Sequence, residues 1–148
     1  MLFRSFTEVK EEGETVESFL SGGVDSSYVL AMSDAKRADS CGYDEERFDE
    51  SRVAAKTAEL LGVEHSVANI QPKDYFDIVP YVMYNMEQPL GDASAIVFTL
   101  GCLATAKHTK ICYSGEGADE FFGGYNMYRN AERYGDNLKT FYVGNTTL

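Results

Sequence analysis

The chain has 148 residues, the size of one ordinary domain, and its 44% hydrophobic content allows a real core. No apolar run approaches the roughly 20 residues of a membrane span. Twenty-four acidic residues against thirteen basic ones give a formal charge of −11, which argues against nucleic acid as a partner because phosphate binding needs clustered cations.

The opening stretch, MLFRSFTEVKEEGET, lacks the apolar core of a secretory signal, and residues 1–15 read as a charged N-terminal segment. Cys41, Cys102 and Cys112 are odd in number and match neither a disulfide framework nor a zinc spacing. Reduced, mostly buried thiols in a cytoplasmic protein are expected.

Val16 to Leu20 predicts a strand, which Gly22-Gly23 break. A helix is expected from Ser26 to Lys36, with Val29, Met32 and Ala35 spaced by threes, then a weak strand over Ala38 to Tyr43. Asp49-Glu50-Ser51 opens a helix carrying Val53, Ala54, Ala58 and Leu61, closed by Gly62. The YDEERFDES stretch before it reads as a solvated loop and helix start. His65 to Ile70 is a third strand. Pro72 suits the first turn of the next helix, with Phe76, Val79, Val82 and Met83 on its apolar face. Pro80 predicts a kink or break there, and the aromatic residues between 75 and 84 are spaced like a core face. Asp92 or Ser94 can cap a helix running through Ile96, Val97, Leu100 and Leu103 to His108. Thr109 to Tyr113 is a fourth strand. His65 and His108 read as structural or exposed. The tail after Arg129 is polar and without pattern.

Alternating strands and helices predict an α/β fold, a parallel sheet with helices on both faces. Ligands of such sheets sit beyond the carboxyl ends of the strands. Two glycine-rich stretches fall there, SGGVDSS after the first strand and SGEGADEFFGGY after the fourth, so both should converge on one sheet edge.

In SGGVDSS, Gly22 and Gly23 permit a sharp turn and a close backbone approach. The amides that follow would open a helix N-terminus, a ready anion site. Ser21, Ser26 and Ser27 add hydroxyls. Asp25 suits phosphate only if it holds a cation. The other reading is a glycine turn with an Asp/Ser cap. Neither the G-x-x-x-x-G-K-[ST] nor the G-x-G-x-x-G pattern is present. In SGEGADEFFGGY, Glu116, Asp119 and Glu120 crowd together, with Lys110 and Arg129 the nearest cations. They suit a metal or an amino group, or equally a solvated acidic cap on a short helix.

The pair of stretches resembles a known family. SGGVDSS is similar to the pyrophosphate loop of the N-type ATP pyrophosphatases, the adenine nucleotide alpha hydrolase-like fold. SGEGADEFFGGY narrows the resemblance to the synthetase domain of glutamine-hydrolysing asparagine synthetases and the related β-lactam synthetases. EQPLGDASA resembles the segment that precedes that signature. The resemblance covers residues 16–128, one partial nucleotide-binding synthetase domain, and leaves 129–148 as a polar tail. It implies that ATP with Mg²⁺ activates the aspartate side chain as an acyl-adenylate, which ammonia attacks to give asparagine. It implies that Ser21, Gly22, Gly23, Asp25 and Ser26 hold the pyrophosphate. Leu20, Cys41, Ser114 and Gly115 would line the adenosine site, and Asp25 and Asp119 would share Mg²⁺. Asp25, Glu116 and Asp119 would serve the chemistry, Glu116 and Asp119 beside the amino-acid substrate.

There are departures. Leu2 stands where the family's glutaminase domain has its cysteine, so ammonia is expected from a missing glutaminase domain. The family's synthetase domain runs well past the second signature, so a fragment is expected, incomplete in its fold and prone to self-association into a homo-oligomer. Glu17 replaces a small residue in the first strand, which predicts that this strand lies at an edge or frays. Two alternatives remain, a β-lactam synthetase-like relative and a catalytically inactive nucleotide-binding module.

Overall fold

A computed structural model describes residues 14–88 and 91–129. The expectations for the N-terminal segment before residue 14 and for the polar tail lie outside the described residues, as do Pro89 and Leu90 of EQPLGDASA. The chain divides into two compact units, one up to Gly115 and one from Glu116.

In chain order, the first unit comprises β1 (Val16–Phe19), α1 (Val24–Met32), β2 (Arg37–Gly42), α2 (Ser51–Leu61), β3 (Glu64–Asn69), α3 (Pro72–Met86), α4 (Ser94–Thr105) and β4 (Ile111–Tyr113). The second carries two short helices, α5 (Ala118–Phe122) and α6 (Asn126–Arg129). The strands form one parallel sheet in the order β3-β2-β1-β4. Its register pairs Glu17 with Arg37, Asp39 with Ser66, and Val16 with Ile111.

Strand alternation gives the sheet two unlike faces. On one, Leu20, Ala38, Leu30 of α1 and Ala54 and Ala58 of α2 form the apolar core. Alanine at both buried positions of α2 lets that helix lie close to the strands. On the other face, Phe19 packs its ring 5.2 Å from Phe98 of α4, and Thr105 of α4 donates to the Asp39 carboxylate. The arrangement follows from connectivity. The two crossovers β1–α1–β2 and β2–α2–β3 step the same way along the sheet, so right-handedness puts both helices on one face. The chain then returns past β1 to place β4, and α4 falls on the opposite face.

Several elements differ from the sequence reading. Helix α1 starts at Val24 and stops at Met32, because the Ser33 hydroxyl takes the Leu30 carbonyl and receives the Ala35 amide. Leu30 and Ser26 are its buried residues. Gly62 does end α2, at φ +66°. Helix α3 runs unbroken through Pro80. Proline removes one helical hydrogen bond, and the carbonyl it leaves unpaired belongs to Phe76, an exposed residue where water can serve instead. The aromatic residues of α3 are not a core face. Phe76, Tyr81 and Tyr84 are exposed, and only Val82 is buried. Helix α3 packs against α4 rather than entering the sheet core. Asp92 accepts the Ser94 amide at 2.9 Å where α4 begins, and α4 ends at Thr105, short of His108.

The largest correction concerns β1. It lies between β2 and β4, inside the sheet. Glu17 is 5% exposed and is accommodated by a charged cluster with Arg37 and Asp39. No helix among the described residues is long and apolar enough to cross a membrane.

Candidate functional site

The reversal of strand order falls between β1 and β4, and the crevice beyond the carboxyl ends at such a switch point is where open α/β sheets bind ligands. The SGGVDSS loop leaves β1 there. Ser114 and Gly115 leave β4 beside it. A Cβ on Gly115 would stand 2.8 Å from the Ser26 amide nitrogen and 3.0 Å from the Asp25 carbonyl carbon. The convergence of the two stretches therefore holds as far as Gly115, backbone against backbone.

Gly22 sits at φ +85°, a conformation that side chains disfavour, and a Cβ on it would press on Val53, Ala54 and Glu50 of the α2 start. The glycine thus seats the loop on α2. The loop's hydroxyls work inward. Ser26 is 7% exposed, its Oγ receives the Ser21 amide at 3.1 Å, and it lies 2.9 Å from the Ser21 Oγ. Ser27 Oγ donates to the Gly23 carbonyl at 2.7 Å. These bonds hold the turn in shape without a ligand. Helix α1 begins with no side-chain cap at Gly23. The amides of Val24 and Asp25 consequently find no acceptor among the described residues, whereas Ser26 is buried with the Gly115 backbone against its amide. Asp25 is exposed on the same turn, and its carboxylate has no hydrogen bond or ion pair among the described residues. Open amides with a free carboxylate next to them suit an anion that arrives with its own cation.

Leu20 and Cys41 stand further in. Leu20 is 1% exposed with its side chain in the core. Its amide donates to the Asp39 carbonyl at 2.9 Å, and its carbonyl accepts from the Ser40 hydroxyl at 2.5 Å. Ser40 Oγ also lies 2.8 Å from His65 Nε2. Since that hydroxyl gives its proton to Leu20, the imidazole is the donor, and burial lowers the His65 pKa. Ser40 and His65 anchor the base of the loop, a role that the sequence reading left general. Cys41 points under α4, its Sγ 3.9 Å from the Val97 carbonyl, and burial raises its pKa. All three cysteines are free and half-buried. Cys41 lines a cavity of about 220 Å³ between α4 and the β2–β3 side of the sheet, with Asp39, Ser66, Lys107 and His108. None of the SGGVDSS residues lines it.

In the second unit, α5 opens at Gly117, φ +87°, and carries Asp119 and Glu120 in its first turn. Asp119 folds over Gly124, where a Cβ would collide with its carboxylate. Glu120 accepts the Tyr125 hydroxyl at 2.8 Å, which raises the tyrosine pKa to about 12. Glu116 is exposed. No group of three metal-ligating side chains occurs among the described residues.

The charged cluster on the α4 face was missed apart from Glu17 itself. Arg37 Nε lies 3.6 Å from Glu17 and 3.5 Å from Asp39. Burial and the neighbouring Asp39 push Glu17 up to about 7. Burial would also raise Asp39, but hydrogen bonds from Glu17, Thr105 and Ser66, and Arg37 close by, hold it below its usual range. The signal was Arg37-x-Asp39, two charges at strand period beside Glu17.

Comparison with known proteins adds an independent line. The family profile described as asparagine synthase matches residues 6–145. The chain is 39% identical over 118 residues to asparagine synthetase [glutamine-hydrolyzing] 1 of Bacillus subtilis, covering 77% of this chain and 19% of that protein. It is 33% identical over 119 residues to a putative asparagine synthetase [glutamine-hydrolyzing] of Mycobacterium tuberculosis, covering 78% and 18%. It thus spans about a fifth of the length of these relatives. Among solved structures, a glutamine-dependent NAD⁺ synthetase from Acinetobacter baumannii aligns with TM-score 0.54 at 22% identity, over 86% of this chain and 26% of that one. An NMN synthetase from Francisella tularensis aligns with TM-score 0.54 at 18% identity, over 86% and 55%. At these identities the likeness concerns the fold.

Proposed function

The chain belongs to the asparagine synthase family, and on that premise we propose that it is the nucleotide-binding core of an ATP-dependent amide-forming ligase. The observation that carries the reading is the uncapped start of α1, whose amides at Val24 and Asp25 belong to exposed residues at the sheet's switch point. They would receive the β- and γ-phosphates of ATP, with Gly22 and Gly23 allowing the close approach and Ser21 and Ser26 keeping the turn in shape. Ser114 and Gly115 would border the adenosine with the backbone at Leu20 and Cys41. The donor set fits a phosphate, since open amides at a positive helix end need no lysine.

Mg²⁺, when bound, would neutralise phosphate charge. Asp25 is free to hold it from the first unit, and Asp119 is the second proposed ligand. In the proposed reaction an aspartate side-chain carboxylate attacks the α-phosphorus, the α–β phosphoanhydride bond breaks and pyrophosphate leaves. Ammonia then takes the acyl group and AMP leaves. Glu116 and Asp119 would engage the amino-acid substrate. The amides of the loop would hold the departing pyrophosphate's charge, a preorganised role that costs no rearrangement during the reaction.

Pyrophosphate exchange tests this directly. Incubated with ATP, Mg²⁺ and aspartate, the chain should exchange label between pyrophosphate and ATP only when aspartate is present. Asp25→Ala should weaken ATP·Mg²⁺ binding by at least about tenfold, the scale on which metal-holding groups act. ATP binding without exchange would identify an inactive nucleotide-binding module. Equal nucleotide affinity in Asp25→Ala and the parent chain would sink the phosphate-loop reading.

A further inference from the structure

We propose that Glu17 and Asp39 share a single proton in the folded chain, and that this pair ties α4 to the sheet only while the proton is held. The inference concerns side chains outside the SGGVDSS loop and stands independently of the nucleotide reading.

Glu17 is 5% and Asp39 7% exposed. One guanidinium serves both, Arg37, which also reaches the exposed Glu64 at 3.4 Å. With both buried carboxyls ionised, one negative charge would be left without a partner, and a buried group in that position keeps its proton instead. The hydrogen bonds say which one. Asp39 accepts Ser66 Oγ at 2.9 Å on one oxygen and Thr105 Oγ1 at 2.7 Å on the other, as an ionised carboxylate should. Glu17 receives no donor on its buried Oε2. A proton placed on Glu17 and given to Asp39 satisfies both groups, which meet at the same Arg37 Nε, 3.6 Å from Glu17 and 3.5 Å from Asp39.

The remaining groups leave this assignment standing. Cys112 stands opposite Glu17 in β4, and burial pushes it up to about 12, so it stays neutral. Cys102 of α4 is likewise raised by burial. His65 on β3 lies close enough to feel the Asp39 charge, but burial lowers its pKa. Lys107 and His108 follow α4 and border the cavity that reaches Asp39, which gives solvent a route for proton exchange. Thr105 sits in the last turn of α4, so the Asp39 charge distribution acts directly on that helix's seat.

The sign follows from linkage. Glu17 is raised in the folded state from 4.5 to about 7. Its contribution to stability is complete below the unfolded value and disappears as pH rises towards the folded one. Asp39 is depressed, so its contribution is lost only on the acid side of the ordinary carboxylate range. Between about pH 5 and 8 the pair should therefore weaken as pH rises.

Infrared spectroscopy of the intact chain reads the proton itself. A protonated-carboxyl band should persist at about pH 6, where exposed carboxylates are ionised, and should vanish by about pH 8. Glu17→Gln should lack that band, and its melting temperature should stay flat across the window in which the parent chain's falls. Amide exchange in α4, corrected for its intrinsic pH dependence, should speed up about tenfold above neutrality in the parent chain alone, the effect of about one pH unit of linkage. Absence of the band at pH 6 overturns the shared proton, and needs only the parent chain, so a Glu17→Gln protein that fails to fold leaves the question decided. An unchanged melting slope in Glu17→Gln also overturns it. Equal α4 exchange above and below neutrality overturns the tie to the helix.

Discussion

On the α1–α2 side of the sheet, Leu20, Leu30, Ala38, Ala54 and Ala58 meet with no charge among them. On the α4 side, one residue over in the same strands, Glu17, Arg37 and Asp39 meet, and Thr105 of α4 donates to Asp39, while Phe98 and Gly101 cover Phe19 and Cys41. The first face needs only volume and alternation. The second needs a closed account of donors, acceptors and charge, because a buried charge without a partner costs more than any one packing contact contributes. A parallel sheet covered on both faces ordinarily reads as a continuous apolar run. Here the run is broken by residues that satisfy one another across strands, and that mutual satisfaction is what lets Glu17 occupy an interior strand.

Three substitutions would break or sharpen this contrast. Leu20→Ala should cost the most, about 2–5 kcal/mol, because the side chain is 1% exposed and its neighbours are small or rigid. Urea unfolding would show it as a lower midpoint at nearly unchanged slope, at pH 5 and pH 8 alike. Thr105→Val should cost about 1–3 kcal/mol by removing a donor from a buried carboxylate. That loss should vary with pH between the same two conditions, since it acts on the pair that titrates. Equal pH behaviour of the two variants would erase the distinction between the faces. Arg52→Ala should sit at the bottom, within about 0.5 kcal/mol, although its 2.6 Å pair with Glu46 is short, because both side chains are more than three-quarters exposed. A larger effect there would place stability in the surface charges rather than in the sheet faces.

Much of the architecture was legible. Four strands, the parallel sheet and the glycine at the end of α2 follow from periodicity and punctuation. The aromatic spacing of α3 misled because period alone cannot tell a helix that enters the core from one that rides on another helix. At the candidate site, glycine placement was readable and hydroxyl duty was not. Ser21, Ser26 and Ser27 look like ligand donors in a string of letters, and the turn geometry assigns their bonds to the loop itself. Gly22 looks like a phosphate glycine, and it also seats the loop on α2.

By itself the sequence determined the alternation of strands and helices, the family, and a lysine-free glycine loop with Asp25 in the first turn of the helix that follows. These are local properties, set by side-chain period and backbone permissiveness. Only the tertiary structure decided that β1 is interior, that Gly115 closes against Ser26, and that Glu17 finds Arg37 and Asp39 across a strand. The reason is that a buried charge is judged by partners far away in the chain, and strand order, which brings them together, is fixed by the handedness of crossovers and not by any single segment.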